Sequence, residues 1–255
     1  MNASAPLSGQ VALVTGSAHR VGKAIALTLA QGGADLVVHY HRSSEAAADT
    51  ASEIRALGRR ALAVAADLGD VAQINQLFQK VEREFGQLDV LVNSASAFEA
   101  ADFLTMTPAQ WDETLNVNLK GPAFCAQAAA HLMLARGGGR IVNVADVIGL
   151  QPWPRFPHHS VAKAGLIMLT QVLAATLAPR IRVNAVAPGP VLKPGGMSDE
   201  RWREIGAASL LGRAGHAADV AEAVLFLLCS NYITGEVLVV DGGSRFVGEN
   251  MHGQT

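Results

Sequence analysis

Val11-Ala12-Leu13-Val14-Thr15-Gly16-Ser17-Ala18-His19-Arg20-Val21-Gly22 decides the fold. Val11 to Thr15 is a short apolar run bounded by Gly9 and Gly16, which reads as a buried strand. Helical spacing follows through Ile25 and Leu29, and Gly32-Gly33 stops it. Strand, glycine turn and helix follow one another within about twenty residues, and the rest of the chain repeats the alternation.

Working outward, Leu36 to His39 is a second strand, and Ser43 or Ser44 caps a helix that runs to about Leu57. Ala61 to Ala65 is a third strand, followed by Asp67-Leu68 and a helix from about Val71 to Phe85. Val90 to Asn93 is the fourth strand. Thr107-Pro108 starts a helix, because proline suits a first helical position, and helical spacing resumes from about Ala123 to Ala135. Ile141 to Val144 is the fifth strand, Ser160 to Leu177 a helix and Ile181 to Ala187 the sixth strand. Pro188 to His216 is irregular with one short helix near Arg201; a helix over Asp219 to Cys229 and a last strand over Val237 to Val240 close the pattern. Continuously apolar strands alternating with helices specify an α/β doubly wound parallel sheet of about seven strands, with helices on both faces. The expectation is one domain over residues 1–255.

Half of the 255 residues are hydrophobic, 16% are charged and the formal net charge is −2, so a nucleic-acid partner is not expected. Met1 to Gln10 lacks a positive region followed by an apolar block, and no apolar run approaches bilayer-spanning length. A cytoplasmic protein with no membrane partner is expected. Cys125 and Cys229 sit in apolar helical patterns and read as buried thiols, not as a disulfide or a metal pair; no metal site is expected.

Gly16 and Gly22 after the first strand can let the backbone approach a pyrophosphate at a helix N-terminus, although the strict G-x-G-x-x-G spacing is absent and an ordinary tight turn competes. An acid expected about twenty residues further on, to bind ribose hydroxyls, is also absent. That place reads His39-Tyr40-His41-Arg42-Ser43-Ser44, where Arg42 and the serines can hold a 2′-phosphate, as can Arg20. The expected cofactor is NADP(H), by roughly 1.5–3 kcal/mol for a charge-assisted hydrogen bond. Solvated surface cations are the competing reading.

His159-Ser160-Val161-Ala162-Lys163 opens the helix after three prolines, and the four-residue step puts His159 and Lys163 on one face. Asp146, thirteen residues before His159, ends the fifth strand and can converge on them. Asp146 suits a proton donor and Lys163 a hold on the nicotinamide ribose. His159 reads as a proton relay through water, as a hold on Asp146, or as a polar residue at the mouth of an altered site. His158 reads as surface, and His19 faces either phosphate or solvent. Trp153, Phe156, Met197 and Trp202 are expected to line or cover the pocket, with Pro188 to His216 as a lid.

Over nearly its whole length the chain resembles the short-chain dehydrogenase/reductase family, which has a Rossmann fold. Thr15-Gly16 through Gly22, Asp67-Leu68, Asn93-Ser94-Ala95-Ser96, Asn118 in Asn118-Leu119-Lys120-Gly121, Pro188-Gly189 and Asp241-Gly242-Gly243 carry the likeness. Arg20 stands where most members have glycine. The resemblance implies that Gly16, Ala18, His19, Arg20 and Val21 hold cofactor in the first turn. His41, Arg42 and Ser43 would follow at the 2′-phosphate, and Asp67 and Leu68 at adenine. Asn93, Ala95, Lys163, Pro188 and Gly189 complete the set. It also implies Asn118, Asp146, His159 and Lys163 as catalytic residues and a homotetramer formed through the Ala-rich helices after Ala123 and Ser160.

Three features narrow the likeness to the pteridine reductase branch: Thr-Gly-x-x-x-Arg-Val-Gly, His39-Tyr40-His41-Arg42-Ser43, and Asp146 in place of the usual serine. The expected activity is NADPH-dependent reduction of a dihydropteridine or dihydrofolate, with Phe98, Asp146 and Trp153 at the substrate. The family's catalytic tyrosine is His159 here, shorter than a phenol by roughly 2 Å. This substitution leaves two alternatives open: a short-chain reductase of another carbonyl, for example of 3-oxoacyl type, and a non-catalytic NADPH sensor.

Overall fold

The computed structural model describes residues 5–247; Met1 to Ser4, part of the stretch read above for a leader, lie outside the described residues. Seven strands form one parallel sheet in the order β3-β2-β1-β4-β5-β6-β7. They are β1 (Val11–Val14), β2 (Asp35–Tyr40), β3 (Ala61–Ala65), β4 (Val90–Asn93), β5 (Gly139–Val144), β6 (Ile181–Pro188) and β7 (Val237–Val240). The helices are α1 (Arg20–Gln31), α2 (Ser44–Ala56), α3 (Val71–Phe85), α4 (Pro108–Leu115), α5 (Gly121–Ala135), α6 (Pro157–Leu177), α7 (Asp199–Ala207) and α8 (Ala217–Cys229).

Strand β1 is apolar in every position, and β1 and β4 are both fully buried, as a parallel sheet with helices on both sides requires. Leu29, Ile54, Val224 and Leu227 from α1, α2 and α8 cover one face. Leu77, Val81, Met133 and Ala174 from α3, α5 and α6 cover the other. Each fully buried Leu or Ile contributes about 1.5–3 kcal/mol relative to exposure. The order reverses between β1 and β4, both paired in register through Leu13. In such sheets the crevice outside the carboxyl ends at the reversal is where ligands bind.

Three expectations need correction. The helices expected from Pro108 and from about Ala123 form one continuous path joined by a π-helical turn over Asn116–Lys120. Pro122 has no N–H to return to the carbonyl four residues back, and the helix widens there instead, with the Gly121 amide donating to the Asn116 carbonyl. Helix α6 begins at Pro157, three residues earlier than the apolar spacing suggested, because proline occupies its first turn. At 21 residues with mean hydropathy 1.5 it is long and apolar enough to cross a bilayer by length and composition. It nevertheless carries buried Lys163 and packs on β6, as a core helix does. Cys229, last in α8, is exposed, whereas Cys125 is buried.

Candidate active site

A cleft of about 1500 Å³ runs along the carboxyl ends of the strands at the β1–β4 reversal. Its floor is the turn after β1. Gly16 has φ +64, and a Cβ there would lie 2.8 Å from the Ala95 Cα; a Cβ on Gly22 would lie 2.2 Å from the Gly16 carbonyl oxygen. Only glycine closes this turn against β4 and α1. Thr15 Oγ1 accepts from the amides of Ser94 and Ala95, at 2.9 and 3.0 Å, and so ties the turn to the loop after β4. The N-terminus of α1 has no side-chain cap and no acid in its first turn. Its free amides and partial positive charge are therefore left to an anion, which fits a dinucleotide pyrophosphate.

Arg20, in the family's glycine position, has φ +57. An L-residue held there costs roughly 1–2 kcal/mol; the strain holds a guanidinium on the cleft wall. Gly16, Ala18, His19, Val21, Asp67, Leu68, Ala95, Pro188 and Gly189 also line the cleft, as do His41, Arg42 and Ser43. His41 Nε2 stands 4.0 Å from Asp67 Oδ2, and both side chains are half-exposed. Asn93 is not on the wall. It is buried, and its Nδ2 donates to Asn143 Oδ1 at 2.9 Å. Asn143 in turn donates to Thr170 Oγ1 at 2.9 Å, so Asn93 fastens β4 to β5 and α6.

The far end of the cleft holds the catalytic candidates. Lys163 is buried and its Nζ donates to the Val144 carbonyl at 2.8 Å. Burial pushes its pKa from 10.5 down to about 8, with Asp146 opposing the shift. Asp146 caps the 3-10 turn Val147–Gly149: its Oδ1 accepts from the Ile148 amide at 2.9 Å. Its Oδ2 stands 3.8 Å from His159 Nε2. His159 is 1% exposed. Asn118, in the π-helical turn, accepts from the Ala97 amide and donates to the Ala97 carbonyl, both at 2.8 Å. His159 Nδ1 lies 3.0 Å from Asn118 Nδ2 and 3.1 Å from the Ala97 carbonyl oxygen. Nδ1 accepts from Asn118 in one tautomer, which leaves a proton on Nε2 facing Asp146; an Nδ1–H donates to Ala97 instead. Asn118 thus stands behind His159 and fixes the ring.

Phe98 and Phe156 stack at 4.5 Å between centroids, and the Phe98 ring meets the His159 ring at 4.8 Å and 90°. Trp153 closes the wall at 6.2 Å from Phe156. Met197 and Trp202 line the cleft from the segment after β6. His158, read above as surface, is 0% exposed. Early helix entry at Pro157 turns it inward, where among the described residues neither ring nitrogen finds a partner.

One working residue carried no role in the sequence reading. His39 lies inside an apolar strand, buried, and its imidazole reaches both the Gly16 amide and the Ala66 carbonyl. A lone histidine in a run such as Leu36-Val37-Val38 was the signal that could have marked it.

A family model described as enoyl-(acyl carrier protein) reductase matches residues 16–245. The 3-oxoacyl-[acyl-carrier-protein] reductase of Synechocystis is 37% identical over 246 residues, covering 93% of this chain and 97% of its own. A short-chain dehydrogenase/reductase variant from Serratia marcescens superposes with TM-score 0.88 at 32% identity, covering 94% of this chain and 99% of its own. A blue fluorescent protein from a metagenomic library, solved with NADPH, gives TM-score 0.86 at 35% identity, with coverage of 94% and 99%. With its parallel sheet, its glycine turn at the strand reversal and likeness of this extent, the chain belongs to the short-chain dehydrogenase/reductase family, oxidoreductases that use a nicotinamide cofactor.

Proposed function

We propose that this protein is a cytoplasmic NADP(H)-dependent reductase of a small carbonyl compound, with the His159–Asp146 pair as its proton source. The observation that carries the reading is the 3.8 Å approach of His159 Nε2 to Asp146 Oδ2 on the cleft wall beside buried Lys163. The cofactor, when bound, supplies the hydride. Hydride addition to a carbonyl carbon leaves negative charge on oxygen, which a positioned N–H quenches. Asp146 Oδ2 stands 3.8 Å from Nε2, and Asn118 keeps the ring aimed. Lys163 adds positive charge below the pocket. The carbonyl choice is supported by likeness to a 3-oxoacyl-thioester reductase.

A pterin-like heterocycle is the second reading. The stacked Phe98–Phe156 wall suits a flat ring, and Asp146 suits protonation of a ring nitrogen. Comparing NADPH oxidation with a 3-oxoacyl thioester, a hydroxyketone and a dihydropterin separates the two. Turnover of the dihydropterin alone would overturn the carbonyl reading, and turnover of none would leave only a dinucleotide-binding protein.

Preference for the phosphorylated cofactor rests on Arg42 and Ser43 beside the end of β2, with Arg20 opposite. NADPH is expected to bind at least tenfold more tightly than NADH, and Arg42→Ala to shrink that ratio without weakening NADH. Equal dissociation constants in the parent, measured by titration of cofactor fluorescence, would refute it.

Self-association as a homotetramer is supported by α6, which leaves Val161, Met168 and Val172 about half exposed along one side, and by the Ala-rich α5. Sedimentation at micromolar concentration should give four times the 26.6 kDa chain mass; a monomer would refute it.

A further inference from the structure

We propose that His39 is a positioning residue for the adenosine half of the cofactor, a neutral imidazole that ties together the three loops on which that half rests. This rests on the dinucleotide reading of the cleft above. Nδ1 accepts from the Gly16 amide at 3.0 Å, and the opposite nitrogen, Nε2, lies 3.1 Å from the Ala66 carbonyl oxygen. An amide donor on one side and a carbonyl acceptor on the other admit one tautomer, bare at Nδ1 and protonated at Nε2. The backbone repeats the tie: the Ser17 amide donates to the His39 carbonyl at 3.0 Å, and the Ala66 amide to the Tyr40 carbonyl at 3.0 Å. One ring therefore joins the glycine turn after β1, the end of β2 that leads to His41 and Arg42, and the end of β3 that leads to Asp67 and Leu68.

Packing alone does not require this residue. The strand is otherwise apolar, and His39 is 2% exposed. A buried ring whose two nitrogens both meet backbone groups is an orienting device. Burial pushes its pKa from 6.5 down to about 4; the Ala66 carbonyl and Asp67 oppose that shift and His41 adds to it. The ring is neutral at assay pH, so its acceptor nitrogen stays available to Gly16. Gly16 sits at φ +64 against Ala95, where no side chain of its own can fix the turn. The His39 nitrogen supplies that constraint from the neighbouring strand.

The test uses the full-length protein and three readouts. His39→Phe keeps an aromatic ring and removes both nitrogens. It should raise the dissociation constants of NADPH and NADH alike by about tenfold or more, leaving their ratio unchanged, with the kinetic loss falling on KM for NADPH rather than on kcat. His39→Asn places a carboxamide oxygen where Nδ1 stands and should restore most of the affinity. Parent affinity in the phenylalanine variant, or equal losses in both variants, would overturn the proposal. Should the phenylalanine variant not fold, ring 15N shifts of the parent at pH 7 decide: the Nε2–H tautomer is expected, and an Nδ1–H or imidazolium ring overturns it. A parent that binds neither dinucleotide removes the cofactor reading and the tie with it. A parent that binds while His39→Phe changes nothing removes only the tie.

Discussion

Replacing His159 by phenylalanine should lower carbonyl turnover by about 10²- to 10⁴-fold, the usual contribution of a placed general acid, while leaving NADPH affinity close to the parent's. Phenylalanine keeps the ring that meets Phe98 edge-on and removes Nε2, the atom 3.8 Å from Asp146 Oδ2. It also removes the Nδ1 contact with Asn118, but Asn118 stays fixed by its two bonds to Ala97. The cofactor floor around Gly16 lies at the other end of the cleft and is untouched. In the parent, kcat/KM should decline as pH rises through about 8, because Lys163 is charged below that value and loses its proton above it. Phenylalanine at 159 should keep that limb at a much lower plateau. Full ketone turnover in the variant would show that the proton comes from elsewhere, with Asp146 or solvent as the remaining sources.

Gly22→Ala should be the most damaging substitution in the cofactor turn. The added methyl meets the Gly16 carbonyl oxygen at 2.2 Å and the Gly16 carbonyl carbon at 2.8 Å, both backbone atoms. No rotamer change relieves such a contact, so either the turn or α1 has to move. Overpacking of this kind costs about 1–3 kcal/mol or more. Since the displaced peptide is the one expected to face pyrophosphate, dinucleotide Kd should rise by about two orders of magnitude. Gly195→Ala is the control for stability, because nothing lies within 4 Å of a Cβ there. Unchanged NADPH affinity in Gly22→Ala would mean that the glycine turn does not carry the cofactor.

The elements were legible because each strand has an apolar run at its centre, and several helices stop at glycine, as α1 and α3 do, or start at proline, as α4 does. Single-residue departures were legible too. Arg20 stood out as a cation in a glycine position, and the structure gives the physical content, a left-handed backbone. Asp146, His159 and Lys163 were brought together by spacing alone, and they meet on one wall. What could not be read was mostly a matter of direction around a helix or across a layer. The π-helical turn depends on how Pro122 and Gly121 pack, since a Cβ on Gly121 would approach the Leu68 carbonyl oxygen at 2.9 Å; no local pattern encodes that neighbour. His158 turned inward because the helix began at Pro157 and not three residues later. Asn93 looked like a cofactor contact on motif grounds, whereas its carboxamide faces Asn143 across the sheet. The role of His39 needed the register of β1 against β2, which sets Val14 beside Val38 and so brings the next residues, His39 and the glycine turn, together.

Strands β4, β5, β6 and β7 are added outward from β1 in the order in which they occur along the chain. A polypeptide leaving a ribosome can therefore lay each new strand on an edge that already exists, without waiting for a later segment to fill a gap. The last strand is also the outermost, and all four of its residues are only partly covered. The apolar Val237-Leu238-Val239-Val240 edge is thus exposed for the shortest time during synthesis, and a chain truncated before it would present β6, fully buried at Val183 and Ala185 to Ala187, as a bare edge. A chain that ends before β7 is accordingly expected to aggregate more readily than one that carries it.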